Sequence, residues 1–368
     1  MDDLNSILSK SAFTKEDIIR LLSVTNKEEI EAIRTKAYDV MKQHCGEEVY
    51  LRGLIEFSNY CINDCNYCGI RKSNSNVDRY ILEKDEIIQS AKWCADNGYG
   101  SLVLQSGERN DDQFIDFIFD IVKSIKHETK SEKLPDGLGV TLCVGEQTPD
   151  NYKRLFDAGS HRYLLRIETS NKELYSELHP EYQNFERRVE CLYSLKEVGF
   201  QVGTGVMIGF PNQTIEHLAD DILFFKKMDI DMIGMGPYIV HNQTPMSDLA
   251  ELYGSKKTEI YQLALKMIAV TRIVLKDVNI ASTTALQAMF PMGREAGLMY
   301  GANIIMPLLT PTEVREQYQL YEGKPCLDEF SSDCFECIQY RIESTGRTIA
   351  KDKWGDSRHF ANKTINLD

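Results

Sequence analysis

From Tyr50 onward the chain alternates short apolar runs with amphipathic stretches. The runs are Leu51–Phe57, Ser101–Leu104, Gly139–Val144, Tyr163–Ile167, Val202–Ile208, Met232–Met235, Val278–Ala281 and Asn303–Met306. Each is continuous rather than alternating, as expected for strands covered on both faces. Between them lie helical periods: Phe114, Phe117, Ile118, Ile121, Val122, Ile125; then Leu218, Ile222, Phe225; then Ile260, Leu263, Ala264, Met267, Ile268. Strands alternating with helices predict an α/β fold with a parallel sheet. Eight such units predict a (β/α)8 TIM-type barrel, with a doubly wound open sheet as the alternative. Residues 1–47 read as polar amphipathic helices, with Leu4, Ile7 and Leu8 on one face and Ile18, Ile19, Leu21 and Leu22 on another. After Thr310 the pattern gives way to Pro, Gly, Tyr and clustered Cys. The predicted organisation is an N-terminal helical extension (1–47), a barrel (48–310) and a C-terminal extension (311–368).

Composition narrows the function classes. With 368 residues, 42% of them hydrophobic, the chain can bury a core of barrel size. A formal net charge of −14 argues against nucleic acid and against an anionic membrane surface as the main partner. No apolar run reaches the roughly 18 residues a membrane span needs. Met1–Lys10 lacks the basic and apolar regions of a signal peptide. A cytoplasmic protein is expected, and in that reducing compartment the ten cysteines are not read as disulfides.

Three cysteines follow the first predicted strand at close spacing: Ile55-Glu-Phe-Ser-Asn-Tyr-Cys61-Ile-Asn-Asp-Cys65-Asn-Tyr-Cys68-Gly-Ile-Arg71. Thiolates suit iron–sulfur clusters and zinc. Three of them can ligate three irons of a 4Fe–4S cube and leave the fourth open. A zinc site completed by His44 or Cys45 is the alternative, although no second Cys-x-x-Cys pair flanks the triad. Asn63, Asp64 and Asn66 make the loop polar, unlike a set of core cysteines.

The Cys-x-x-x-Cys-x-x-Cys spacing, with Tyr67 before the last cysteine, resembles the radical S-adenosylmethionine (SAM) superfamily. That resemblance implies a 4Fe–4S cluster on Cys61, Cys65 and Cys68 whose open iron chelates SAM. One electron would then cleave SAM to methionine and a 5′-deoxyadenosyl radical, so the chain is expected to be an enzyme. It also implies SAM-binding residues near strand ends, and Tyr67 is counted among them. Gln105-Ser106-Gly107-Glu108 resembles the Gly-Gly-Glu motif that meets the methionine amino group. Glu168 is the candidate for the ribose hydroxyls. Arg188 is preferred over Arg187 for the methionine carboxylate. Met207 and Gly209, in a glycine-rich fifth strand, are candidates to lie along the adenosyl group.

Within that superfamily the chain resembles the branch of biotin synthase, methylornithine synthase and, above all, the HydE-type maturase of FeFe-hydrogenase. The similarity runs from about Tyr50 to Trp354. Its stretches include Tyr50–Asn59, Thr204–Gly209, Ile233–Ile239 with Thr244-Pro245, Ser282–Ala285, Gly301–Pro307 and Tyr318–Lys324. The resemblance implies a deep cavity that binds anions, with Thr141, Arg166, Thr283, Thr284 and Met306 at the family's cavity positions. Tyr318 and Tyr321 match positions that close over SAM. The implied role is assembly of the diiron subcluster and its dithiomethylamine bridge from a small sulfur-bearing or organometallic substrate. Other hydrogenase maturation proteins and an electron donor such as ferredoxin or flavodoxin are the implied partners. A methylornithine-synthase-like mutase or a biotin-synthase-like sulfur inserter is the alternative within the class. An iron–sulfur or zinc scaffold without SAM chemistry is the alternative outside it.

A second set, Cys326, Cys334 and Cys337, resembles an auxiliary iron–sulfur site, 2Fe–2S or 4Fe–4S, of a subset of the maturase family. Adventitious zinc or a disulfide are the other readings, and the tail is expected to pack outside the SAM site. Cys45, Cys94, Cys143 and Cys191 are read as packing residues, and His161, His179 and His241 as structural.

Overall fold

The computed structural model describes residues 3–328 and 331–365, with the side chains of 331–334, 364 and 365 outside that description. Eight parallel strands form the barrel: β1 (Glu48–Ser58), β2 (Ser101–Ser106), β3 (Gly139–Cys143), β4 (Arg162–Leu164), β5 (Gln201–Thr204), β6 (Met232–Ile233), β7 (Asn279–Ile280) and β8 (Ile304–Ile305). They pair in chain order, and β8 pairs with β1. The ring closes through a bridge between Ala281 and Ile304. There the Ser282 N–H donates to the Ile304 carbonyl and the Asn303 N–H to the Ile280 carbonyl, both at 2.9 Å. All eight strands fall on the apolar runs read from the sequence, and the closed form replaces the open-sheet alternative.

The connecting helices bury one face each and are capped by their sequence. Helix Asp112–Glu128 buries Phe114, Ile115, Ile118, Ile121, Val122 and Ile125, and the Asp111 carboxylate accepts from the Phe114 N–H. The N-terminal helices Lys15–Leu22 and Lys27–Cys45 pack on the barrel's outer helices. Among the described residues no helix is long and apolar enough to cross a membrane.

Register arranges the inward-facing side chains of β1–β3 in rows. Leu54, Val103 and Thr141 share one row, and Glu56, Gln105 and Cys143 share the next toward the strand C-termini. Below them the C-terminal segment plugs the barrel. Thr348–Ile349 adds a parallel pair to β1. The Gly355 carbonyl accepts from Arg52 and Asn279, and the Trp354 carbonyl from Ser101 and Arg162. Asp356 ion-pairs with Arg162. The plug closes the N-terminal face and leaves the mouth at the C-terminal ends of the strands, where barrels carry their sites.

Candidate active site

The loop after β1 is held by polar side chains rather than by regular structure. Arg79 donates to the carbonyls of Asn59, Ile70, Arg71 and Asn74. The Asp64 carboxylate accepts from Arg71 and from the Ser73 N–H and hydroxyl; the Arg71 bond lowers its pKa to about 2. Gly107, at the end of β2, passes so close that a Cβ there would sit 2.2 Å from the Tyr60 carbonyl and 2.9 Å from Cys61 Cβ. Only glycine lets the second strand end against the cysteine loop.

Cys61, Cys65 and Cys68 all line one cavity of about 300 Å³ that runs from this loop into the barrel. Burial raises all three thiol pKa values, that of Cys68 to about 12, so a metal must displace protons to bind. Among the described residues no three His, Cys, Asp or Glu side chains converge on a single ion position. The zinc alternative through Cys45 is not formed: its sulfur lies 3.1 Å from Arg272 on the outer helices. An iron–sulfur cube instead takes its thiolates at separate corners, which suits a thiol-lined cavity mouth.

The same cavity is lined by Tyr67, Gln105, Ser106, Gly107, Glu108, Arg166, Glu168, Arg188, Thr283, Thr284, Met306, Tyr318 and Tyr321. Tyr67 is fixed from behind. His179 Nδ1 lies 2.8 Å from the Tyr175 carbonyl, which can only accept, so Nδ1 carries the proton. Nε2 then accepts the Tyr67 hydroxyl at 3.2 Å. Burial holds the His179 pKa down to about 3, which keeps this neutral tautomer. His179 is structural, as expected.

Arg188 lies in the first turn of helix Phe185–Val198, where the helix dipole disfavours a cation. Two carboxylates compensate: Nε donates to Glu146 at 2.6 Å and Nη2 to Glu108 at 3.3 Å, while Nη1 donates to the Arg166 carbonyl. Arg187, by contrast, is only half-buried, and its Nη2 donates to the Gln147 carbonyl at 3.0 Å rather than into the cavity. Glu108 lies across Gly145, whose φ of +82° and lack of a Cβ both matter: a Cβ would sit 1.9 Å from Glu108 Cγ. Glu168 has φ +63°, the left-handed region that a non-glycine residue rarely occupies. Its backbone bonds both ways to the fifth strand's extension, through Gly205 and Met207.

Four expectations are corrected. Thr141 does not line the cavity; its hydroxyl lies a row deeper and accepts from Arg162 at 2.9 Å. Met207 does not line it either, and packs with Leu174, Leu178, Phe210, Tyr238 and Val240 behind Tyr67. Arg166 is not an unclaimed anion binder: Nε and Nη2 lie 2.9 and 3.0 Å from the two oxygens of Glu168. Cys143 is no mere packing residue, because its row places it on the cavity wall beside Gln105. Tyr318 and Tyr321 line the cavity, as the resemblance implies, and Leu320, Lys324 and Pro325 join them as its cover. Cys326 directly follows this cover, and Cys337 is exposed with Arg341 Nε at 3.2 Å from its sulfur. The side chain of Cys334 lies outside the described residues.

The sequence reading also missed the pair that fastens the cover. Lys324 Nζ donates to both oxygens of Glu56 and to the Tyr318 carbonyl, and both side chains are more than nine-tenths buried. A carboxylate inside the buried first strand, between Ile55 and Phe57, was the available signal. Glu146, the second partner of Arg188, gave none.

This closed parallel barrel, with three thiols and a band of paired charges at its mouth, has the layout of a cofactor-dependent radical enzyme. Residues 55–225 match the family model described as the Radical SAM superfamily. The chain is 42% identical over 354 residues to the [FeFe] hydrogenase maturase subunit HydE of Thermotoga maritima, covering 96% of this chain and 97% of that protein. It therefore belongs to the HydE family within the radical SAM superfamily and is a SAM-dependent radical enzyme, for which the family implies a 4Fe–4S cluster and SAM. The 3-methylornithine synthase of Methanosarcina acetivorans is 27% identical, covering 92% of this chain and 91% of that protein. A crystal structure of methylornithine synthase (PylB) superposes with TM-score 0.77 at 24% identity, covering 95% of this chain and 97% of that one, which shows the shared fold.

Proposed function

We propose that Cys61, Cys65 and Cys68 hold the cluster and that the chain works with SAM in maturing an [FeFe] hydrogenase. Its substrate is a small sulfur- or iron-bearing molecule, in assembly of the diiron subcluster and its dithiomethylamine bridge. The supporting observation is the single cavity that joins the three thiols to the barrel interior. When bound, the cluster and SAM supply one-electron reductive cleavage of the sulfonium. The chain's own groups bind, orient and exclude water. Arg188 and Glu108 stand side by side as opposite charges, a complement to the carboxylate and ammonium of SAM's methionine. Glu168 accepts from the ribose hydroxyls, and its left-handed backbone sets its aim. Tyr318 and Tyr321, fastened through Lys324 and Glu56, cover the cavity against water. Other maturation proteins and a low-potential electron donor such as ferredoxin or flavodoxin complete the system.

The test is hydrogenase activation in an anaerobic extract that contains the other maturation proteins and lacks this one. Adding the reconstituted wild type is expected to restore hydrogen evolution, and adding Cys61→Ala is not. A wild type that cleaves SAM yet restores nothing would overturn the maturation role and favour another reaction of this branch, such as a methylornithine-synthase-like rearrangement.

A further inference from the structure

Two sulfurs of the cysteine loop have hydrogen-bonding partners, and the partners differ in kind. Cys61 Sγ accepts from the Asn63 N–H at 3.4 Å, a backbone donor that stays a donor whatever the sulfur carries. Cys65 Sγ, in a residue only 9% exposed, lies 3.4 Å from Oε1 of Gln183, which also lines the cavity. As a thiol, Cys65 donates to that oxygen. As a metal-bound thiolate it has no proton to give, and an amide oxygen facing it would set lone pairs against lone pairs. The amide escapes this by turning about its last torsion, which puts its NH2 where its oxygen stood. Among the described residues no other hydrogen bond holds the Gln183 side-chain amide, so the turn breaks none. The backbone around it, just before helix Phe185–Val198, is fixed. The Gln183 N–H donates to the Pro180 carbonyl at 2.8 Å, the Asn66 N–H to the Leu178 carbonyl at 2.9 Å, and the Tyr182 hydroxyl to the Ile62 carbonyl at 3.2 Å.

We propose that Gln183 donates an N–H···S hydrogen bond to Cys65 when the cluster is bound and thereby raises the cluster's reduction potential. The inference rests on the reading that Cys61, Cys65 and Cys68 hold the cluster, and it names a residue outside the ligand set that tunes it. One-electron reduction adds negative charge, part of which falls on the thiolate sulfurs. A donor at one of those sulfurs stabilises the reduced form more than the oxidised form. The equilibrium with a low-potential one-electron donor then moves toward reduction. Gln183 suits this role because its loop is tied to the cysteine loop on both sides, so the amide keeps its place beside Cys65.

The test is a redox titration of the anaerobically reconstituted full chain without SAM, followed by electron paramagnetic resonance, with iron content read for each sample. Gln183→Leu is expected to lower the potential by about tenfold in the reduction equilibrium, or about 59 mV for one electron. Gln183→Glu, which has the same shape but a negative charge and no N–H, is expected to lower it further. A second measurement uses protein with the glutamine side-chain nitrogen isotopically labelled. The reduced wild type is expected to show coupling of that nitrogen to the cluster in pulsed resonance, and Gln183→Leu to lack it. The proposal is overturned if the wild type shows no such coupling or if Gln183→Leu keeps it. It is also overturned if Gln183→Leu at full iron content is reduced at the wild-type potential or above it. Should neither variant hold its cluster, the wild-type coupling decides alone. A wild type that shows no 4Fe–4S spectrum overturns the cluster reading itself, and the proposal with it, which is distinguishable from a cluster that forms without the amide bond.

Discussion

Cys65→Ala is expected to lose the 4Fe–4S absorption, most of the bound iron and all reductive SAM cleavage. The cysteine loop supplies three thiols to one cavity mouth, and Cys65 is the most buried of them. Removing it leaves two thiolates for a cube that needs three corners tied, and no other cysteine of the loop can replace it. Cys143 lines the same cavity from β3, but it belongs to the deeper wall, so Cys143→Ala is expected to keep its iron. Iron analysis and 5′-deoxyadenosine measurement in both variants check the pair. Full iron and normal product formation in Cys65→Ala would contradict the assignment.

Arg188→Met carries the second large effect. The wild-type guanidinium sits between Glu108 and Glu146, and burial already raises the Glu108 pKa despite that neighbour. Without Arg188 two largely buried carboxylates face each other uncompensated, which costs about 3–5 kcal/mol for a buried pair broken on one side. The sign with pH follows from the carboxylates. A folded-state pKa above the unfolded value favours the folded state at low pH, and this advantage is lost as pH rises through the folded value. The melting deficit of Arg188→Met relative to wild type is therefore expected to shrink as pH falls and Glu108 protonates. SAM binding should weaken far more than in Arg187→Met, whose side chain is half-buried and does not line the cavity. Thermal melts from pH 5 to 8 with SAM titrations check both. Equal SAM losses in the two variants would rule out the buried pair as the SAM anchor.

Legibility followed the physics of each feature. Every barrel strand was readable because burial on both faces writes a continuous apolar run, and the triad because three close thiols have few other uses. Glu168, Arg188 and the Gln105–Glu108 turn meet on one cavity because they follow strand ends or open a helix. Thr141 and Arg166 went astray for a different reason. Register, which sequence does not give, decides which row of side chains reaches the cavity and which faces the plug, and Arg166 has its carboxylate two residues away at Glu168. Arg79 was invisible, since its bonds go to backbone carbonyls. The tail's place over the cavity depends on Lys324 finding Glu56 across 268 residues of chain, a contact no local pattern encodes.

The central claim is that the three-thiol loop and the cavity bind SAM together at an open iron. The most direct measurement is electron paramagnetic resonance of the dithionite-reduced, reconstituted wild type, recorded before and after SAM is added. The account predicts a 4Fe–4S signal whose g values shift when SAM binds, with the shift absent in Arg188→Met at the same SAM concentration. A reduced cluster whose spectrum ignores SAM at any concentration would contradict it.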